Sequence, residues 1–116
     1  MGVYVFKSSH GPYWKVGHYK GQNAWSRVAH RGFYSCRRPH QIHSQVSVQD
    51  LELHCWYPTL TTNDEKMIHR QFPGLVGEWY GSVHIGEVLL ALEQLGSTNT
   101  ARECDLKAAL SSRRRL

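Results

Sequence analysis

The sequence has few of the residues that would identify a disulfide-rich or membrane protein. Its three cysteines (Cys36, Cys55 and Cys104) are an odd number at irregular spacings, which disfavours a disulfide framework and is typical of a reducing compartment. No apolar run exceeds a few residues, which argues against a membrane-spanning helix. No basic region followed by an apolar one is visible near the start. We therefore expect an intracellular protein without a membrane segment, in which each thiol is a small apolar or unreactive side chain.

Acidic residues are also scarce relative to basic ones. The chain has 9 Asp and Glu against 14 Lys and Arg, a formal charge of +5 and a pI of about 9.3. A net positive charge favours a polyanionic partner such as DNA. The alternative is that the basic residues form a generic solubilising surface. The basic residues are unevenly placed: they comprise Arg27, Arg31, Arg37 and Arg38 with His30, His40 and His43, and then Arg113 to Arg115.

At 116 residues, of which 41% are hydrophobic, the chain is long enough for one domain with its own core. Val3 to Phe6 and Tyr13 to Val16 alternate aromatic and β-branched residues on either side of a Gly-Pro turn, which predicts an antiparallel hairpin. Asn23 is a candidate N-cap for a helix over Ala24 to His30 that ends at Gly32. Residues 35–47 are polar, basic and aperiodic, which predicts a loop.

The second half of the chain predicts one strand and two helices of the core, followed by a C-terminal helix that the core order does not include. Val48 to Tyr57 alternates, with Leu51, Leu53 and Cys55 on one face and Glu52, His54 and Trp56 on the other. Residues 61–72 begin with Thr62 and Glu65 as a capping box and end at Pro73-Gly74. His84 to Leu95 has an apolar face of Ile85, Val88, Leu89, Leu92 and Leu95, and is followed by Gly96. Residues 101–110 predict a last helix.

The predicted order is therefore β-β-α-β-α-α, which describes a small α/β sandwich on a mixed, mainly antiparallel three-stranded sheet flanked by helices. We expect a single domain over residues 1–116, with its core in about 2–95 and a C-terminal helix and basic tail in 97–116. Cys36, His40 and His43 raise the alternative of a zinc site, with His54 or Cys55 as a fourth ligand. The usual paired C-x-x-C spacing is missing, which disfavours that alternative.

Four motifs then follow one another on the expected elements. Gly2-Val3-Tyr4 lies on the first strand, Lys15-Val16-Gly17 on the second, Arg27 on the first helix and Glu65 on the second. This order and spacing resembles the GIY-YIG endonuclease family over residues 2–95. The similarity is greatest to the branch with Lys-Ile-Gly as the second half-motif. In that branch a Glu-x-x-x-His-x-x-Phe helix precedes Gly-Glu-Trp-Phe, here Glu65, His69, Phe72 and Gly77 to Tyr80.

The resemblance implies a divalent-metal-dependent endonuclease that hydrolyses DNA phosphodiester bonds. Glu65 would hold one Mg²⁺ (or Mn²⁺), and Arg27 would bind the scissile phosphate. Tyr4 would accept a proton from the attacking water, with Lys15 across the hairpin lowering its pKa. His30, or the neighbouring Arg31, would contact the same phosphate.

The remaining expectations concern binding and specificity. Arg31, Arg37, Arg38, His40 and His69 are the candidate DNA contacts, and Glu78 is a candidate second carboxylate behind Glu65. No helix-turn-helix, zinc finger or other sequence reader is visible, so other domains or subunits would supply specificity. Several alternatives stay open. Glu65 could serve only as a helix cap, His69 could orient Glu65 or pack in the core, and the whole domain could bind nucleic acid without cutting it.

Overall fold

A computed structural model of the chain describes residues 1–28, 39, 42 and 48–104. Its centre is a four-stranded antiparallel sheet with the strand order β3-β1-β2-β4. The strands are β1 (Gly2–Ser8), β2 (Trp14–Tyr19), β3 (Leu51–Tyr57) and β4 (Trp79–Tyr80). The α/β class and the β1–β2 hairpin are confirmed. The predictions of a mixed three-stranded sheet and of the order β-β-α-β-α-α were wrong, because both lacked the strand β4. Its two residues are too few to show alternation, and its pairing with Trp14 and Lys15 identifies it as a strand of the sheet.

The central strand β1 is covered on both faces. Val3, Tyr4, Val5 and Phe6 each expose 1% or less of their surface. Val3 and Val5 pack into one apolar cluster, and Tyr4 and Phe6 pack into a second cluster on the opposite face. The first cluster joins β1 to two helices of the second half of the chain through Ile68, Val88 and Leu92. The second cluster joins β1 to the segment after β2 through Ala24 and Val28.

The strand β3 contains a bulge that the sequence pattern did not predict. Val5 pairs with Cys55, but the next residue, Phe6, pairs with Leu53, so that the register shifts by one residue. Leu53 therefore packs with the second cluster and Cys55 with the first. The predicted common face for Leu51, Leu53 and Cys55 was wrong, because a bulge reverses the side-chain alternation beyond it. The strand also begins at Leu51, after a 3₁₀ turn over Val48–Asp50.

Three helices are described: α1 (Trp25–Val28), α2 (Thr62–Gln71) and α3 (Ser82–Gln94). The Oδ1 atom of Asn23 accepts a hydrogen bond from the Trp25 N–H, which supports the predicted role of Asn23 at the start of this helix. The helix begins at Trp25 rather than at Ala24, and its predicted end at His30 and Gly32 lies outside the described residues. The predicted apolar face of α3 is also confirmed, with Ile85, Val88 and Leu92 buried. Gly96, at φ +87°, ends that helix in a left-handed conformation.

The predicted capping box of α2 lies one residue earlier than expected. Thr61 is the N-cap: its side chain accepts from the Asp64 N–H at 3.3 Å, and an Asp64 carboxylate oxygen accepts from the Thr61 N–H at 2.8 Å. The assignment of the box to Thr62 and Glu65 was therefore wrong, and the Glu65 side chain is not part of the cap.

The segment after α3 returns to the outer edge of β3. The Asn99 Oδ1 atom accepts from the Trp56 N–H at 3.0 Å, and the Thr100 N–H donates to the Trp56 carbonyl at 2.8 Å. In place of the start of the predicted helix over 101–110 there is a 3₁₀ turn, Ala101–Glu103, and residues 105–110 lie outside the described part. Among the helices that the structure describes, none combines the length and apolar character needed to cross a bilayer.

Candidate active site

The site begins with a close approach between the two strands of the hairpin. Tyr4 on β1 pairs directly with Gly17 on β2. A Cβ atom built on Gly17 would lie 2.3 Å from the Tyr4 hydroxyl oxygen and 2.5 Å from Cζ. Only glycine leaves this space for the ring, so Gly17 determines where the phenol lies.

Lys15 provides a buried positive charge next to this phenol. Its ammonium group donates a hydrogen bond to the Tyr4 hydroxyl oxygen at 3.1 Å and lies 3.3 Å from the Oε2 atom of Glu78. The Lys15 side chain is 1% exposed, whereas that of Glu78 is 37% exposed. A buried ammonium is stable only when partners replace its hydration, and these two oxygen atoms are such partners.

The electrostatic balance at Tyr4 differs from the sequence-based expectation. Burial raises the pKa of Tyr4 above its usual value of 10.0, and this outweighs the charge and hydrogen bond of Lys15, which lower it. The negative charge of Glu78 raises the pKa further, and the positive charge of Arg27 lowers it. Lys15 therefore acts in the predicted direction, while desolvation of the phenolate is a larger effect in the opposite direction, which the sequence analysis did not include.

Glu65 and His69 lie one turn apart on the inner side of α2. The His69 Nε2 atom is 3.4 Å from the Oε1 atom of Glu65 and 3.0 Å from the Val16 carbonyl oxygen on β2. Because a carbonyl only accepts hydrogen bonds, Nε2 must carry the proton in this contact. His69 thus links the Glu65 carboxylate to the backbone of the strand that carries Lys15.

Tyr80 on β4 fixes the other side of the His69 ring. Its hydroxyl donates to the Phe72 carbonyl at 2.9 Å and lies 2.9 Å from the His69 Nδ1 atom. The Tyr80 hydroxyl therefore contacts both the Phe72 carbonyl and the His69 ring. Burial lowers the pKa of His69, but the hydrogen bond and charge of Glu65, together with the charge of Glu78 and the Val16 carbonyl, raise it above its usual value.

Two carboxylates beside His69 could bind a divalent cation. Glu65, His69 and Glu78 each offer a ligand atom, and these atoms lie within 4.8 Å of one another. Both nitrogens of His69 are used in contacts with the protein, which leaves the oxygen atoms of Glu65 and Glu78 as the donor set. Two carboxylates at the edge of an open pocket of about 580 Å³ suit Mg²⁺ or Mn²⁺, which prefer oxygen ligands and retain several waters. The residues therefore fit the expected metal.

The structure brings most of the predicted site together. Tyr4, Lys15, Glu78, Glu65 and His69 form one continuous group of neighbours, and Arg27 is close enough for its charge to act on Tyr4. The other predicted residues lie outside the described part of the chain: His30, Arg31, Arg37, Arg38 and His40, with the zinc candidates Cys36 and His43. Their roles stay predictions.

Three residues next to this group were missed by the sequence analysis. Tyr80, which the sequence analysis named only as the end of the Gly77 to Tyr80 motif, is buried and contacts His69 through its hydroxyl. Lys66 and Arg70 line the same pocket as Glu65 and Glu78. Helical spacing contained a signal for the two cations, because Lys66 and Arg70 directly follow Glu65 and His69 and so lie on an adjacent face of α2. For Tyr80 no such signal existed.

Comparisons with known proteins add no further constraint. A scan against protein-family models found no matching family, and searches of curated proteins and of solved structures found no similar chain.

Proposed function

We propose that this chain is a metal-dependent endonuclease domain of the GIY-YIG type, which hydrolyses DNA phosphodiester bonds. The observation that carries the proposal is the contact series from Tyr4 through Lys15 and Glu78 to Glu65 and His69. It joins a phenol, a buried cation and a pair of carboxylates in one series of neighbours, and both carboxylates line an open pocket. These are the groups that phosphodiester hydrolysis needs for proton transfer and for charge neutralisation.

Each residue has a distinct role in this proposal. The Tyr4 oxygen accepts the proton of the attacking water, and the adjacent Lys15 ammonium stabilises the phenolate form that can do so. Arg27 binds the scissile phosphate with its planar guanidinium. Glu65, with Glu78 beside it, holds Mg²⁺ or Mn²⁺, which when bound neutralises phosphate charge and lowers the pKa of water. His69 keeps the Glu65 carboxylate in place through its contact with the Val16 carbonyl.

A second candidate function is a nucleic-acid-binding domain without catalysis. The observation that favours it is the state of Tyr4, which is 1% exposed and whose pKa is raised by burial. A neutral, enclosed phenol is a poor general base. The two candidates differ in what they require of Glu65: a nuclease depends on its carboxylate for metal binding, whereas a binding domain does not.

A supercoiled-plasmid assay with Mg²⁺ and with Mn²⁺ tests the proposal, because a single nick converts the supercoil to the open circle. We expect nicking by the wild type and its loss in Tyr4→Phe, Arg27→Ala and Glu65→Gln. Matched controls remote from the site are Tyr57→Phe, Arg102→Ala and Glu87→Gln, and these should cut at the wild-type rate. Circular dichroism verifies that each variant is folded.

Metal binding separates the two functions independently of cutting. Electron paramagnetic resonance of Mn²⁺ should show bound ion with the wild type and with Glu87→Gln, and much less with Glu65→Gln. DNA binding without nicking, together with Mn²⁺ affinity that Glu65→Gln leaves unchanged, would overturn the nuclease and support the binding domain.

A further inference from the structure

The pocket beside the carboxylates has a positively charged rim that the proposed chemistry does not use. Its lining includes Glu65, His69 and Glu78, and on the outer side Lys66 and Arg70. Both cations are exposed and lie four residues apart on α2, so their side chains project from the same face of the helix. The pocket lining thus combines two partly buried carboxylates with two exposed cations.

Ion pairs among the described residues do not account for these two cations. In residues 1–28 and 48–104, the ion pairs within 4.0 Å involve Lys15 and three histidines, and neither Lys66 nor Arg70 takes part in one. Glu65, the nearest carboxylate in sequence, contacts His69 instead. Two long cationic side chains beside a pocket, with no acidic partner in the described residues, present their charge to a ligand or to solvent.

A DNA strand is the ligand that this arrangement suits. The carboxylates of Glu65 and Glu78 repel phosphate, so a strand entering the pocket needs positive charge close by. Side chains at this helical spacing have Cβ atoms about 5–6 Å apart. One strand of a duplex carries a phosphate about every 3.4 Å along the helix axis. Lys66 and Arg70 are therefore spaced to contact different phosphates of the same strand.

We propose that Lys66 and Arg70 bind the phosphates that flank the bond to be cut, and so hold the DNA strand across the pocket. This inference rests on the proposed nuclease function for the position of the scissile bond. It assigns the substrate contact to α2, in addition to the basic segment after α1 that the sequence suggested. Phosphate contacts of this kind supply affinity and register and carry no sequence information.

The test measures binding of a short fluorescent DNA duplex by anisotropy over a range of salt concentrations, without divalent metal, so that no cutting occurs. The variants are Arg70→Ala, Lys66→Ala and the double variant, and the matched control is Arg102→Ala, an exposed arginine next to the opposite edge of the sheet. A further double variant, Lys66→Arg with Arg70→Lys, exchanges the two side chains and keeps both positive charges. All five variants keep the predicted metal ligands intact.

Each phosphate contact contributes about 0.9 to the slope of log affinity against log salt. We expect the slope to fall by about 1 for each single alanine variant and by about 2 for the double variant. Arg102→Ala and the charge-preserving exchange should keep the wild-type slope. If Arg70→Ala and Lys66→Ala match Arg102→Ala, or if the wild type binds no duplex, the inference is overturned.

The nicking assay distinguishes a failure of this binding surface from a failure of the proposed nuclease function. A wild type that binds through Lys66 and Arg70 but never nicks in Mg²⁺ or Mn²⁺ would support the binding surface and overturn the nuclease. A wild type that nicks, with a double variant of unchanged KM and salt slope, would support the nuclease and overturn the binding surface.

Discussion

Lys15 and Glu78 form an ion pair across β2 and β4 in which only one partner is buried. The two charged groups are 3.3 Å apart, with the Lys15 side chain 1% exposed and that of Glu78 37% exposed. The asymmetry has an energetic consequence. If the pair is broken, water can hydrate the Glu78 carboxylate but does not reach the buried Lys15 ammonium. Breaking the pair therefore costs more free energy at Lys15 than at Glu78.

The first prediction follows from that asymmetry. Glu78→Gln removes the carboxylate charge 3.3 Å from a buried ammonium, and we expect a loss of about 1–3 kcal/mol in the free energy of unfolding. Glu87→Gln is the matched control, because Glu87 is exposed on α3 and its ion pair with His84, at 3.7 Å, is exposed as well. Its effect should stay within about 0.5 kcal/mol. Urea denaturation of both variants measures the difference, and equal midpoints would contradict a structural role for the pair.

The second prediction compares two glycines. Gly17→Ala places a methyl group against the Tyr4 hydroxyl, a contact of 2.3 Å that the buried ring cannot relieve without moving, so we expect clear destabilisation. Gly86 lies inside α3 with nothing within 4 Å of an added Cβ, and Gly86→Ala should stabilise the protein by about 0.5–1 kcal/mol. Thermal denaturation of the two variants should therefore shift in opposite directions. A stable Gly17→Ala variant would show that Tyr4 does not need this space.

The third prediction concerns the register of the cap of α2. Thr61→Ala removes the side-chain acceptor of the Asp64 N–H and should cost about 1 kcal/mol of stability. Thr62→Ala removes only an exposed contact with His18 and should cost much less. Denaturant unfolding of the two variants distinguishes them. The opposite order of stabilities would place the capping box where the sequence suggested, on Thr62 and Glu65.

The fourth prediction is alkaline unfolding caused by buried phenols. Burial raises the pKa of Tyr80 to about 12, and burial likewise raises the pKa values of Tyr4 and Tyr57. A phenol whose pKa is higher in the folded state contributes stability that is fully present below pH 10, its unfolded value. That stability is lost as the pH rises through the folded value. We expect a loss of stability that sets in above about pH 10.

Tyrosinate absorbance and circular dichroism, followed together during the alkaline titration, test this coupling. The buried phenols should ionise in step with unfolding, so their absorbance change should coincide with the loss of the circular-dichroism signal. Tyr80→Phe should remove part of the pH dependence. Complete ionisation of all six tyrosines in a protein that stays folded would contradict the coupling of phenol ionisation to unfolding.

Several features of the fold follow from short-range patterns and were predictable. The hairpin is defined by alternation on both sides of a Gly-Pro turn, and α3 by apolar residues at helical spacing. The cap of α2 shows the limit of such patterns. Thr61 with Asp64 and Thr62 with Glu65 have the same spacing and similar chemistry, so the sequence alone does not distinguish them. The native register caps the helix with Asp64 and turns Glu65 towards His69.

The sequence by itself determined which groups the candidate site contains and most of the elements that carry them, because Tyr4, Lys15 and Glu65 lie in locally readable motifs. Tertiary structure alone decided how these groups are joined. The contact of Lys15 with Glu78, the residue before β4, depends on the pairing of β2 with β4. This pairing is a long-range contact, and the two residues of β4 are too few to predict it from the sequence. It also decided the charge balance at Tyr4, since desolvation depends on what covers a side chain, and that is a property of the assembled fold.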